Sequence, residues 1–279
     1  MRRWEWAAAI GVYFALNLAA PFLRAPLEHV FTASVVATLA FLAVQLGLVA
    51  ALSRFGKDAP AGLGLLLTGI LMLAGLRLMA EVGWIASDPR TKAPMFPIPS
   101  ALANLSMTLA AVGLGRLVSL IIREPGLLAP VVPLAALIDV LTVYAPGGFV
   151  KKAIENNPQL TATLTVKAPQ VATEQDFGTV TAFALIGVAD LVFLSLFVVC
   201  LYKFGLKARL TLSLMFVALI LYMAAVLLGT PLRLPALVPM AVVLLAVNWR
   251  QLRLTRQEAW MSVVVCAACA GLIAFLFWR

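Results

Sequence analysis

The sequence predicts an all-α fold, a polytopic transmembrane helix bundle with about nine spanning helices. Three observations predict it. Hydrophobic residues make up 63% of the chain and charged residues 12%, whereas a soluble domain is about half apolar and about a quarter charged. The mean hydropathy of +1.03 has the same sign and cause. Apolar runs of about 20 residues, the length a helix needs to cross a bilayer, recur along the chain and leave no stretch for a separate soluble domain.

The first run, about 5–23, follows Met-Arg-Arg and so resembles a signal peptide. It is longer than a signal core and no small-x-small site ends it, so a retained first helix is expected. Runs at about 32–52, 62–84, 101–122 and 126–145 follow, and the proline-rich residues 86–100 read as an extended loop. Residues 146–177 form the longest break: Gly147 and Gly148 end the fifth helix, and 149–156 suit a short interfacial helix. "LTATLTV", 160–166, then has the composition of a strand, bounded by Pro158 and Pro169, with no sheet partner beyond 170–174. Runs at about 178–202, 208–228, 233–249 and 258–278 complete the count. The expected organisation is therefore a scaffold over 1–125, a core over 126–249 containing the long loop, and a last helix within 250–279. Small residues at Gly11, Ala15, Ala19, Gly113 and Gly115 are spaced to let membrane helices approach closely.

The net charge of +9 reads as orientation rather than nucleic-acid binding, because Lys and Arg concentrate in cytoplasmic loops. With the N-terminus inside, both basic clusters, 203–209 and 250–256, fall on the cytoplasmic side. The expected setting is the plasma (inner) membrane of a prokaryote, with the bilayer as a partner and no nucleic acid.

Several chemistries are excluded by what is missing. The only histidine, His29, lies in the first loop, which removes Ser/His/Asp triads, Ser–His dyads and HExxH zinc sites. No GxxxxGK[ST] or GxGxxG stretch is present, and Cys200, Cys266 and Cys269 suit small core positions, so no metal or cofactor is expected. Arg77, Glu81 and Arg116 suit structural roles, the first two one helical turn apart.

The two acids left are Asp139, in "AALIDVLTVYAP", and Asp190, in "LIGVADLVFL". An intramembrane carboxylate costs roughly 2.5–3.5 kcal/mol on insertion scales, which makes each a functional candidate. They lie on the helices flanking the long loop, at depths of roughly 9 and 18 Å from its side of the membrane. From the residues alone they are either a facing pair or two separately satisfied acids. Further along, Pro231, Pro235 and Pro239 recur every four residues. Each removes an N–H and unseats a carbonyl, so this backbone is expected to be partly unwound beside protein or a wet cavity.

Asp139 in "IDVLTVYAPGGFVKKAIENN", Asp190 in "IGVADLVFLSLFVV" and "LPALVP" at 234–239 resemble, in order, the three signature elements of the presenilin and signal peptide peptidase family. These are GxGD-type intramembrane aspartyl proteases, with Tyr-Asp, Gly-x-Gly-Asp and Pro-Ala-Leu on successive helices. The resemblance covers about 126–245. It departs from the family at Ile138, in place of the aromatic, and at Ala189, in place of the second motif glycine. It implies a presenilin-like catalytic core with Asp139 and Asp190 as the catalytic pair. Gly187, Val188, Ala189, Pro235, Ala236 and Leu237 would be active-site motif residues. Two carboxylates sharing a proton can activate water and protonate a carbonyl without metal or covalent intermediate. The implied substrates are transmembrane helices of other membrane proteins, which must unwind before cleavage. The strand-like segment, through Thr161, Thr163, Thr165 and Val166, would hold them extended. A non-catalytic relative that binds membrane proteins, or a proton- or cation-coupled transporter using the same acids, is the alternative.

Overall fold

The computed structural model describes residues 4–23, 26–54, 59–87, 96–144, 165–169, 182–227 and 235–252, with Trp260, Ala267 and Gly271. Most of these residues are helical. The α-helices are α1 (Trp4–Ala19), α2 (Val30–Arg54), α3 (Ala59–Glu81), α4 (Pro97–Ser119), α5 (Leu128–Tyr144), α6 (Val188–Lys203), α7 (Ala208–Leu227) and α8 (Leu237–Asn248). Among the described residues, 4 helices are long and apolar enough to cross a membrane: Val30–Arg54, Pro60–Glu81, Pro97–Ser119 and Ala208–Val226. Shorter apolar helices cover Ala7–Phe22, Pro125–Val140 and Leu237–Asn248. The run expected at 258–278 lies almost wholly outside the described residues, as do 149–156.

Four expectations are corrected. The fold is not wholly α: β1 (Thr165–Pro169) and β2 (Ala182–Gly187) form a two-stranded antiparallel sheet. The run at 178–202 is therefore not one helix, because its described part changes from strand to helix between Gly187 and Val188. A fully apolar run carries neither a period of 2 nor one of 3.6, so hydropathy cannot mark that change. The expected strand segment, whose residues 160–164 lie outside the described residues, is strand at Thr165 and Val166, continues to Pro169 and has a partner, Val166 facing Ile186 and Lys167 facing Leu185. Lastly, 97–100 are not loop but the first turn of α4. Pro97 sits where a helix has no use for its N–H, and its fixed φ suits the start.

The chain forms two compact units, one of Met1–Leu117 with Pro158–Leu196 and one of Val118–Asn157 with Phe197–Arg279. In the first, α4 is central, with 72% of its spanning window buried against 6% for α3. One stripe of α4, four residues apart, carries polar contacts. Asn104 donates to the Asn17 side chain of α1 at 3.0 Å, and Thr108 accepts from Gln45 of α2 at 2.9 Å. The Val112 carbonyl accepts from Ser195 of α6 at 3.2 Å, and Ser195 also contacts Ser53 of α2 at 3.0 Å. Interhelical bonds between small polar side chains hold helices together where no hydrophobic gain separates lipid from protein.

Glycine brings α3 and α6 against the same helix. A Cβ on Gly113 would meet the Leu66 and Gly62 backbone of α3, and one on Gly69 would meet the Ser106 carbonyl of α4 at 2.5 Å. A Cβ on Gly115 would collide with the Val192 carbonyl and lie 2.8 Å from the Ser195 Cβ of α6. Gly11, expected to serve the same purpose in α1, has open space around it. The outer surface of α3 exposes Leu67, Ile70, Leu71 and Leu78, a face suited to lipid and costly in water.

In the second unit α8 packs on α5 and α7. Leu237, Met240, Ala241 and Leu244 form its buried stripe, spaced as one helical face. Its far end is tied down by Asn248, which donates to Thr211 Oγ1 at 2.9 Å and accepts from the Lys207 N–H at 3.1 Å. Helix α6 ends at Gly205, whose φ of 63° suits the left-handed cap a glycine accepts without strain. The Lys203 ammonium just before it donates to the carbonyls of Ser119 and Ile122 at 2.9 and 2.7 Å.

Candidate active site

Helix α8 begins with Pro-Ala-Leu: Pro235 precedes it, Ala236 is its N-cap and Leu237 its first residue. Pro235 and Leu237 are buried. None of the three side chains can cap a helix, and Ala236 makes no side-chain cap bond. The first N–H groups of α8 therefore need an acceptor from elsewhere. Asp139 supplies it: its carboxylate accepts from the Leu237 backbone N–H. The carboxyl group lies at the end of α8 whose dipole favours an anion. Pro231 lies outside the described residues, Pro235 and Ala236 precede the helix, and Pro239 is in its first turn, where its missing N–H costs no bond; one expected acid meets the expected Pro-Ala-Leu segment. Helix α5, which carries Asp139, itself contains Pro133.

Asp190 is in the first turn of α6, in the other unit, three residues after the end of β2. Gly187 closes that strand and its missing side chain matters. A Cβ there would lie 3.0 Å from Asp190 Oδ2 and 3.7 Å from its Cγ. The Gly187 backbone is not left-handed, so the demand is for space and not for φ. Val188 and Asp190 are half-buried and Ala189 is exposed, so the extra methyl of Ala189 is not wedged into packing. Gly187→Ala should force the carboxylate aside and lower any turnover that uses it by about tenfold or more. The melting temperature should move little. Equal kcat in the two proteins would show that this space has no role in chemistry.

The strand residues divide. Thr161 and Thr163 lie outside the described residues. Thr165 is half-buried opposite Gly187, while Val166 is fully buried opposite Ile186. The sheet packs on α2 with Val166, Ala168 and Ile186 inward and Leu185 outward.

One contact was not expected from the sequence. Asn104 of α4 takes hold of Lys167 at both backbone groups. Its Nδ2 donates to the Lys167 carbonyl at 3.0 Å, and its Oδ1 accepts from the Lys167 N–H at 3.1 Å. An amide inside an otherwise apolar spanning run was the available signal. The partner, 63 residues away, was not.

Comparison with protein-family models, curated proteins and solved structures finds no match for this chain.

Proposed function

We propose that the chain is a multi-pass intramembrane aspartyl protease resembling the presenilin and signal peptide peptidase family, with about nine spanning helices and a cytoplasmic N-terminus. The bond between Asp139 and the Leu237 N–H supports this most strongly. It joins two of the three motif elements, 98 residues apart by their numbers (237 − 139).

In this mechanism Asp139 and Asp190 share one proton. The ionised carboxylate takes a proton from water as the water attacks a peptide carbonyl, and the protonated one gives its proton to the carbonyl oxygen. The titration belongs to the pair. The Leu237 N–H orients Asp139, and the missing side chain of Gly187 leaves room for the Asp190 carboxylate beside it. A substrate helix must open before its amides can be attacked, and β2, which runs directly into the Asp190 helix, offers a strand for the opened segment to join.

The test is cleavage of a single-span substrate in proteoliposomes, with and without a transition-state mimic carrying a hydroxyl at the scissile position. Cleavage within the apolar span, abolished by the mimic, is the expected result. Absence of cleavage, with substrate-independent proton or cation flux, would favour transport.

A further inference from the structure

We infer that Asn104 is a positioning residue that closes the outer edge of β1, so that an extended substrate segment can join the sheet only at β2. This rests on the protease assignment above for its function, and on the following geometry for its structure.

In an antiparallel pair, residues alternate between those bonded to the partner strand and those whose N–H and C=O point away. Lys167 gives both groups to Asn104, so it belongs to the outward set. Two residues on, past a register irregularity between Ala168 and Pro169, the strand ends at Pro169, which has no N–H to offer to either edge. The edge of β1 is thus occupied at Lys167 and blunted at the strand's end.

The partner strand is different. Leu185 faces Lys167, so its N–H and C=O also point away from the pair, on the β2 side. No described residue bonds to them. Leu185 is 51% exposed and lies five residues before Asp190. Among the described residues one edge of the sheet is therefore occupied and the other is not, and the second leads to the acid.

Asn104 is built to hold its position. It is 4% exposed, and its amide makes three bonds, two to Lys167 and one to Asn17. Asn17, also buried, donates in turn to the Tyr13 carbonyl at 2.8 Å. With both amide hydrogens and the oxygen committed, the side chain has one orientation that satisfies the site. Gln45 donates to Thr108, and Thr108 to the Asn104 carbonyl, neither to the strand, so Gln45 serves as the control.

The experiment has two arms. Residue-resolved amide exchange is measured on the full chain in micelles, free and with a transmembrane peptide carrying an uncleavable hydroxyl isostere. Cleavage of the parent peptide is measured in parallel. In the unaltered chain the Lys167 amide should exchange slowly with or without peptide, and Leu185 rapidly until peptide slows it. In Asn104→Leu the Lys167 amide should exchange about tenfold faster and then be protected by peptide. KM should rise about tenfold with kcat little changed. A second set of products should appear displaced by an even number of residues, since a one-residue slip would turn every side chain to the other face. Gln45→Leu should lower stability without moving any of these readouts. If Asn104→Leu does not fold, Asn17→Leu removes the support of the amide and should give the same signs at smaller size.

Unchanged Lys167 exchange in a folded variant would overturn the clamp. Peptide protection of Lys167 equal to that of Leu185 in the unaltered chain would overturn the choice of edge. An unchanged KM and product pattern beside faster Lys167 exchange would leave Asn104 merely structural and overturn the positioning role. No cleavage by the unaltered chain overturns the protease assignment alone, and the exchange arm still decides Asn104.

Discussion

Asp139→Asn should reduce cleavage by about a thousandfold or more, the scale expected when a general acid or base is removed. It should leave the chain folded. Asparagine is isosteric and keeps a carbonyl oxygen, so it can still accept from the Leu237 N–H and cap α8. Asp139→Leu loses both functions and should also destabilise by about 1 kcal/mol, the usual value of a helix cap. Comparing the two variants separates chemistry from capping. A carboxylate that serves only as a cap would leave full turnover in Asp139→Asn and a lower melting temperature in Asp139→Leu. Asp190→Asn should match the loss of cleavage. Turnover within about tenfold of the parent in either asparagine variant would contradict a proton shared between the acids.

The largest effect on stability is expected at Gly115. Its hypothetical Cβ meets backbone of α6 at Val192 and Leu196, which cannot rotate away as a side chain could. Gly115→Leu should cost about 3 kcal/mol or more, the upper range for overpacking, and should displace the helix that carries Asp190. Gly11→Leu, placed where nothing lies within 4 Å, should stay within about 0.5 kcal/mol of the parent. Melting in a fixed detergent checks both. Equal shifts for the two glycines would mean that α4 and α6 are not packed through Gly115.

These two glycines show what was readable in the sequence and what was not. Both belonged to small-residue spacings in apolar runs, so neither could be ranked without knowing which helix faced which. The long apolar helices were legible because hydropathy and length act through the bilayer, independently of partners. The position of Pro-Ala-Leu at a helix start was legible because proline's missing N–H is a local fact. The boundary at Gly187 was hidden, since strand and helix share one apolar alphabet when no polar residue marks a period. The start of α4 was misread because Pro97 and Pro99, weighed by composition, suggest a loop, whereas their position in a first turn makes them compatible with helix. The Asn104–Lys167 contact was beyond reach, because a side chain imitating a strand leaves no mark on the strand's own letters.

Helix α8 is held at both ends, by Asp139 on the Leu237 N–H and by Asn248 on Thr211 and the Lys207 N–H. Its 12 residues therefore behave as a strut of fixed length and fixed phase. Each residue of a helix turns about 100° and advances about 1.5 Å, so one inserted between Met240 and Val247 would swing the leading N–H away from the carboxylate. About seven would bring the phase back to within about 20° yet lengthen the strut by about 10 Å. No insertion satisfies both moorings, so variation in this helix is confined to substitution, and the loops beyond its ends must absorb any change in length.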